Sequence, residues 1–121
     1  MSADRVLAVL GCLFGVAGIA QLALAAHGKW PEITYSATMT LAHAPALIGV
    51  AAAIRLGLLR SVIARPAAFL LAAAVALFSA DVTLHAMTET HLLPMAAPIG
   101  GTTSIIAWLL LAVSAVVARE E

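Results

Sequence analysis

Four apolar stretches separated by short polar segments dominate the pattern of the chain, at about residues 6–26, 34–54, 66–86 and 98–118. Each has the length of about 20 residues that a helix needs to cross the hydrocarbon layer of a membrane. The intervening segments carry most of the charges and prolines, and Pro66 and Pro98 are predicted to occupy the first turns of the third and fourth helices. The pattern therefore predicts an all-α, polytopic membrane protein: a single four-transmembrane-helix bundle over residues 1–121.

Composition supports a membrane protein and excludes several other classes. The 121 residues are 64% hydrophobic and 10% charged, whereas a soluble domain has about 45–50% apolar and about 25% charged residues. The formal net charge of zero gives no basic footprint for nucleic acid. Because Cys12 is the single cysteine, an internal disulfide and a CxxC metal or redox motif are both excluded.

Charge asymmetry predicts the orientation of the chain. One side of the expected bundle carries five arginines and the other carries Lys29; the arginines are Arg5, Arg55, Arg60, Arg65 and Arg119. By the positive-inside rule, both termini are expected to be cytoplasmic (N-in/C-in). The first 26 residues also resemble a signal peptide, but their apolar stretch is longer than the usual 7–15 residues, which favours a first membrane helix.

Asp81 and His85 stand four residues apart inside the apolar run 69–87. An ionisable residue at membrane depth costs at least a few kcal/mol unless it is paired or faces water. Residues at i and i+4 share one helix face, so Asp81 is expected to hydrogen-bond His85, or else His43 from the second helix. In this interpretation the pair fastens the bundle.

The same residues permit a binding site. At about 1.5 Å rise per residue, His27, His43, Asp81 and His85 all fall in the outer half of the membrane. Imidazole with thioether would suit copper, and imidazoles alone could ligate zinc or haem iron. The sequence leaves three possibilities open: structural fastening without a cofactor, which it favours; a metal or redox cofactor; and a quinone-, lipid- or proton-linked role.

Small residues on the first helix predict close helix packing. Gly11, Gly15 and Gly18 form a stripe that contains one GxxxG motif, and such stripes let two helices approach closely. Packing inside the four-helix unit is favoured over dimerisation. In the second helix, Pro45 is expected to bend the chain next to His43.

Enzyme motifs are lacking: the chain has no GxSxG, HExxH, phosphate loop or dinucleotide fingerprint. We therefore expect a non-enzymatic protein that acts as an accessory or scaffold subunit. Its expected partners are membrane lipids and other membrane protein subunits.

A series of short motifs resembles the small four-helix inner-membrane proteins of the domain of unknown function 423 family. The series runs along nearly the whole chain: Ala25-Ala26-His27-Gly28, His43-Ala44, Phe78-Ser79, Pro98-Ile99-Gly100-Gly101 and Ala107-Trp108-Leu109-Leu110. The resemblance implies a bacterial inner-membrane protein whose biochemical role is not established. This chain departs from the family pattern after Phe78-Ser79, where Asp81, Thr83 and His85 replace the usual small and apolar residues.

Overall fold

The computed structural model describes residues 1–119, which form four helices and no strand. They are α1 (Ala3–His27), α2 (Ile33–Arg55), α3 (Ser61–Thr88) and α4 (Ala96–Val116). All four are long and apolar enough to cross a membrane. The all-α, four-helix fold class predicted from the apolar pattern is therefore confirmed.

Consecutive helices pack against each other, α1 on α2, α2 on α3 and α3 on α4, and α1 also touches α3. Helix direction alternates, so the bundle has two ends. The arginine end holds the start of α1 and α3 and the end of α2 and α4; the histidine end holds His27, His85 and His91. At the arginine end, both carboxylate oxygens of Asp4 accept hydrogen bonds from Arg65, at 2.9 and 3.1 Å, and tie α1 to α3.

The core is built from a few large side chains embedded among alanines. Leu7, Leu47, Leu71 and Val75 are fully buried. Small residues surround them because close approach of helix backbones supplies much of the packing energy in a membrane, where lipid tails are as apolar as leucine. The buried alanines include Ala37, Ala44, Ala51, Ala64, Ala67, Ala68, Ala72, Ala74 and Ala107.

Glycines mark the closest helix contacts. A Cβ added at Gly11 would lie 2.6 Å from the carbonyl oxygen of Ala44 on α2, and one added at Gly18 would lie 2.5 Å from the Leu41 side chain. Gly15 has no atom within 4 Å of such a Cβ. Of the predicted glycine stripe, the structure thus places Gly11 and Gly18, but not Gly15, against α2.

Of the two prolines predicted to lie in a first helical turn, one does and the other does not. Pro98 lies in the first turn of α4, as predicted. The prediction for Pro66 was wrong, because α3 begins at Ser61 and Pro66 lies inside it. α3 therefore begins about one turn before the predicted apolar stretch. Arg60, in extended conformation, precedes its first residue, and the carbonyl of Arg60 accepts hydrogen bonds from the amides of Ile63 and Ala64.

Candidate functional site

Asp81 fastens the connection between α3 and α4. Its carboxylate is 1% exposed; Oδ1 accepts a hydrogen bond from the backbone N–H of Leu92 at 2.8 Å, and Oδ2 accepts one from Nδ1 of His91 at 2.9 Å. The expected partner, His85 or His43, was therefore wrong: the partner is a histidine ten residues further along the chain. Residues 91 and 92 of the connection are thus held against α3 by the two carboxylate oxygens.

His85 contributes to the same cluster through its ring. It stacks on His91 with the ring centroids 4.0 Å apart and the planes 8° from parallel. The connection begins and ends with Glu89 and Met95 in the left-handed conformation, at φ of 59° and 62°. Residues other than glycine adopt that conformation uncommonly, so the contacts of Asp81 help to hold an unusual backbone path.

His43 is saturated with hydrogen bonds inside the bundle. The indole N–H of Trp108 donates to Nε2 at 3.1 Å, and Nδ1 lies 2.7 Å from the carbonyl oxygen of Met39. Because an indole N–H can only donate, Nε2 is the acceptor and Nδ1 carries the proton given to Met39. The ring is thus neutral and links α2 to α4, whose described backbones do not otherwise approach each other closely.

A polar seam of five side chains crosses the interface of α1, α2 and α3. Gln21 donates through Nε2 to Thr83 at 3.1 Å, and the Thr83 hydroxyl lies 2.9 Å from that of Ser36. One turn deeper, Thr40 donates to Ser79 at 2.8 Å, and Ser79 donates to the Ser36 carbonyl at 3.2 Å. Within residues 1–119, the one buried side-chain oxygen or nitrogen without a partner is Oε1 of Gln21.

The four predicted ligand residues do not converge on one point. His27 is exposed in the last turn of α1, His43 lies in the bundle, and only Asp81 and His85 reach the same connection. No group of three or more His, Cys, Asp or Glu side chains in the described chain is arranged to hold a metal ion. The arrangement ties helices and a loop together and leaves few polar atoms for a ligand.

Sequence reasoning missed three components: His91, Trp108 and the hydroxyls of the polar seam. The hydroxyls carried a usable signal, since Ser36 and Thr40, like Ser79 and Thr83, stand four residues apart and share a helix face. His91 and Trp108 carried no such spacing signal, because their partners lie on other elements, 10 and 65 positions away.

Comparison with known proteins gives a family and no activity. The family model described as protein of unknown function (DUF423) matches residues 14–101, more than half of the chain. No curated protein and no solved structure matches the chain.

Proposed function

Because the chain belongs to the DUF423 family of proteins of unknown function, we propose its role from the geometry: a non-enzymatic, multi-pass membrane protein that serves as an accessory or scaffold subunit of a larger membrane complex. One observation carries this proposal. The polar side chains that are buried in the helices form hydrogen bonds inside the chain, as His43 and Asp81 illustrate. What the protein offers to other molecules in the bilayer is apolar helix surface.

That surface lies mainly on the two outer helices. α1 and α4 bury a smaller share of their residues than α2 and α3. Ile19 on α1 and Ile105 on α4 are 66% and 63% exposed. These two faces are where a neighbouring subunit would pack.

Photocrosslinking in native membranes tests the scaffold role. A photoreactive amino acid is placed at Ile19 or Ile105, and at the fully buried Leu71 as the matched control. We expect one protein adduct of constant mass from at least one outward position and none from Leu71. The proposal fails if both outward positions yield lipid adducts alone and the extracted protein runs as a monomer.

The orientation is part of the proposal: a bacterial inner-membrane protein with both termini in the cytoplasm. Its support is the charge bias, with Arg5, Arg55, Arg60 and Arg65 at the arginine end and Lys29 at the other. A C-terminal green fluorescent protein fusion should fluoresce, and a C-terminal alkaline phosphatase fusion should be inactive. The opposite pair of results would reverse the orientation.

A metal, redox-cofactor or quinone site built on His27, His43, Asp81 and His85 is not favoured. Both nitrogens of His43 and both oxygens of Asp81 already have partners in the chain. Binding there would have to break those hydrogen bonds. Addition of copper or zinc is expected to leave the melting temperature unchanged, whereas a rise that His43→Gln removes would restore the ligand hypothesis.

A further inference from the structure

A groove of about 560 Å³ opens between α1 and α2 at the arginine end. Its floor is hydrocarbon, formed by Ala8 of α1 and by Ile48, Ala51 and Ala52 of α2. Arg5 and Arg55 stand at its mouth. The groove thus has a cationic rim, and its apolar part, lined by the alanines and Ile48, is called the apolar slot below.

Helix packing explains why the slot stays open. Gly11 draws the backbone of α1 against α2 at Ala44 and Ile48. One turn nearer the arginine end the facing positions are alanines, Ala8 on α1 and Ala51 and Ala52 on α2. Their methyl groups are too short to fill the space beside the glycine contact.

The charge at the mouth is only partly offset within residues 1–119, where Asp4 interacts electrostatically with Arg55. Asp4 also borders the groove, but both of its oxygens are bound by Arg65. Within residues 1–119, neither Arg5 nor Arg55 forms an ion pair, and both are exposed. Two guanidinium groups are therefore available beside the apolar slot.

We propose that this groove is a binding site for an anionic phospholipid, with an acyl chain along the alanine floor and the phosphate between Arg5 and Arg55. Guanidinium groups bind phosphate oxygens through paired, charge-assisted hydrogen bonds, and the apolar floor matches an acyl chain, which a small hydrophilic anion lacks. Anionic headgroups are also drawn to basic residues at a membrane surface. The inference is independent of the scaffold role.

Native mass spectrometry of the detergent-purified protein tests the site with phosphatidylglycerol as the probe. We expect one saturable lipid adduct, and about tenfold weaker binding for the Arg5→Gln/Arg55→Gln variant, since hydrogen bonds to charged groups are lost. Phosphatidylcholine with the same acyl chains should bind more weakly than phosphatidylglycerol. Lys29→Gln, which removes one positive charge at the opposite end, is the matched control and should bind like the wild type.

A second variant keeps the test decisive if loss of both arginines impairs folding. Ala52→Leu leaves every charge in place and fills the exposed side of the slot, so it should also weaken phosphatidylglycerol binding. The site is refuted if Ala52→Leu and the double variant bind as the wild type does, or if Lys29→Gln weakens binding equally. Competition by millimolar inorganic phosphate would show a simple anion site and overturn the lipid assignment.

Discussion

The hydrogen bonds of Asp81 to residues 91 and 92 should protect the Leu92 amide from hydrogen exchange, and loss of Asp81 should reduce that protection. Asp81→Ala removes the acceptor of the Leu92 N–H, which lies 2.8 Å from Oδ1. A hydrogen bond to a charged group contributes about 1.5–3 kcal/mol net. Because about 1.4 kcal/mol is a factor of ten, the Leu92 amide should exchange about 10–100-fold faster than in the wild type.

Asp81→Asn is the matched control. Its side-chain oxygen can still accept from Leu92, and its NH₂ group can donate to His91 if that ring carries its proton on Nε2. Protection of the Leu92 amide should therefore stay within a few-fold of the wild type. If the Leu92 amide of Asp81→Ala exchanges at the wild-type rate while circular dichroism shows intact helices, Asp81 does not hold the connection in place.

Three further predictions concern the unfolding free energy in mixed detergent micelles. Gly11→Ala should lower the unfolding free energy by about 1–3 kcal/mol, because the added Cβ meets the backbone of α2. Gly15→Ala adds its Cβ in open space and should be neutral or stabilising. Equal effects of the two substitutions would contradict this packing. Trp108→Phe should lower the unfolding free energy by about 1–3 kcal/mol, because Nε2 of His43 loses its donor. The loss of stability should be smaller when His43 is already replaced by leucine. Strict additivity of the two substitutions would show that the side chains are not coupled. Gln21→Leu removes an oxygen that has no partner in the described chain along with one hydrogen bond, so it should change stability by less than about 1 kcal/mol; a loss above about 2 kcal/mol would show a missing partner.

The four helices were predictable because a membrane leaves the backbone no other partner. An apolar stretch that spans the hydrocarbon layer must satisfy its own N–H and C=O groups, and a helix does so within one segment. The first three observed helices accordingly cover the predicted stretches, whereas the fourth is displaced by two residues and ends at Val116 instead of residue 118. Pro66 shows the limit of this reasoning, since hydropathy does not mark where a helix begins outside the apolar region.

The partners of the buried polar groups were not predictable in the same way. Spacing along one helix suggested His85 for Asp81, yet the hydrogen bonds come from a loop whose path depends on left-handed Glu89 and Met95. His43 and Trp108 are 65 positions apart and meet because a large side chain spans the gap between α2 and α4. Likewise, the stripe identified the small face of α1 but not which glycines face α2.

The two ends of the bundle differ in the charged groups that they leave available for recognition. At the histidine end, both carboxylate oxygens of Asp81 accept hydrogen bonds from inside the chain. At the arginine end, Asp4 occupies Arg65 and leaves Arg5 and Arg55 exposed beside an apolar slot. The proposed recognition of a lipid phosphate therefore lies at the arginine end. Under the scaffold proposal, recognition of a protein partner would have to rely on the shape of α1 and α4, because lipid competes for every apolar contact these faces can make.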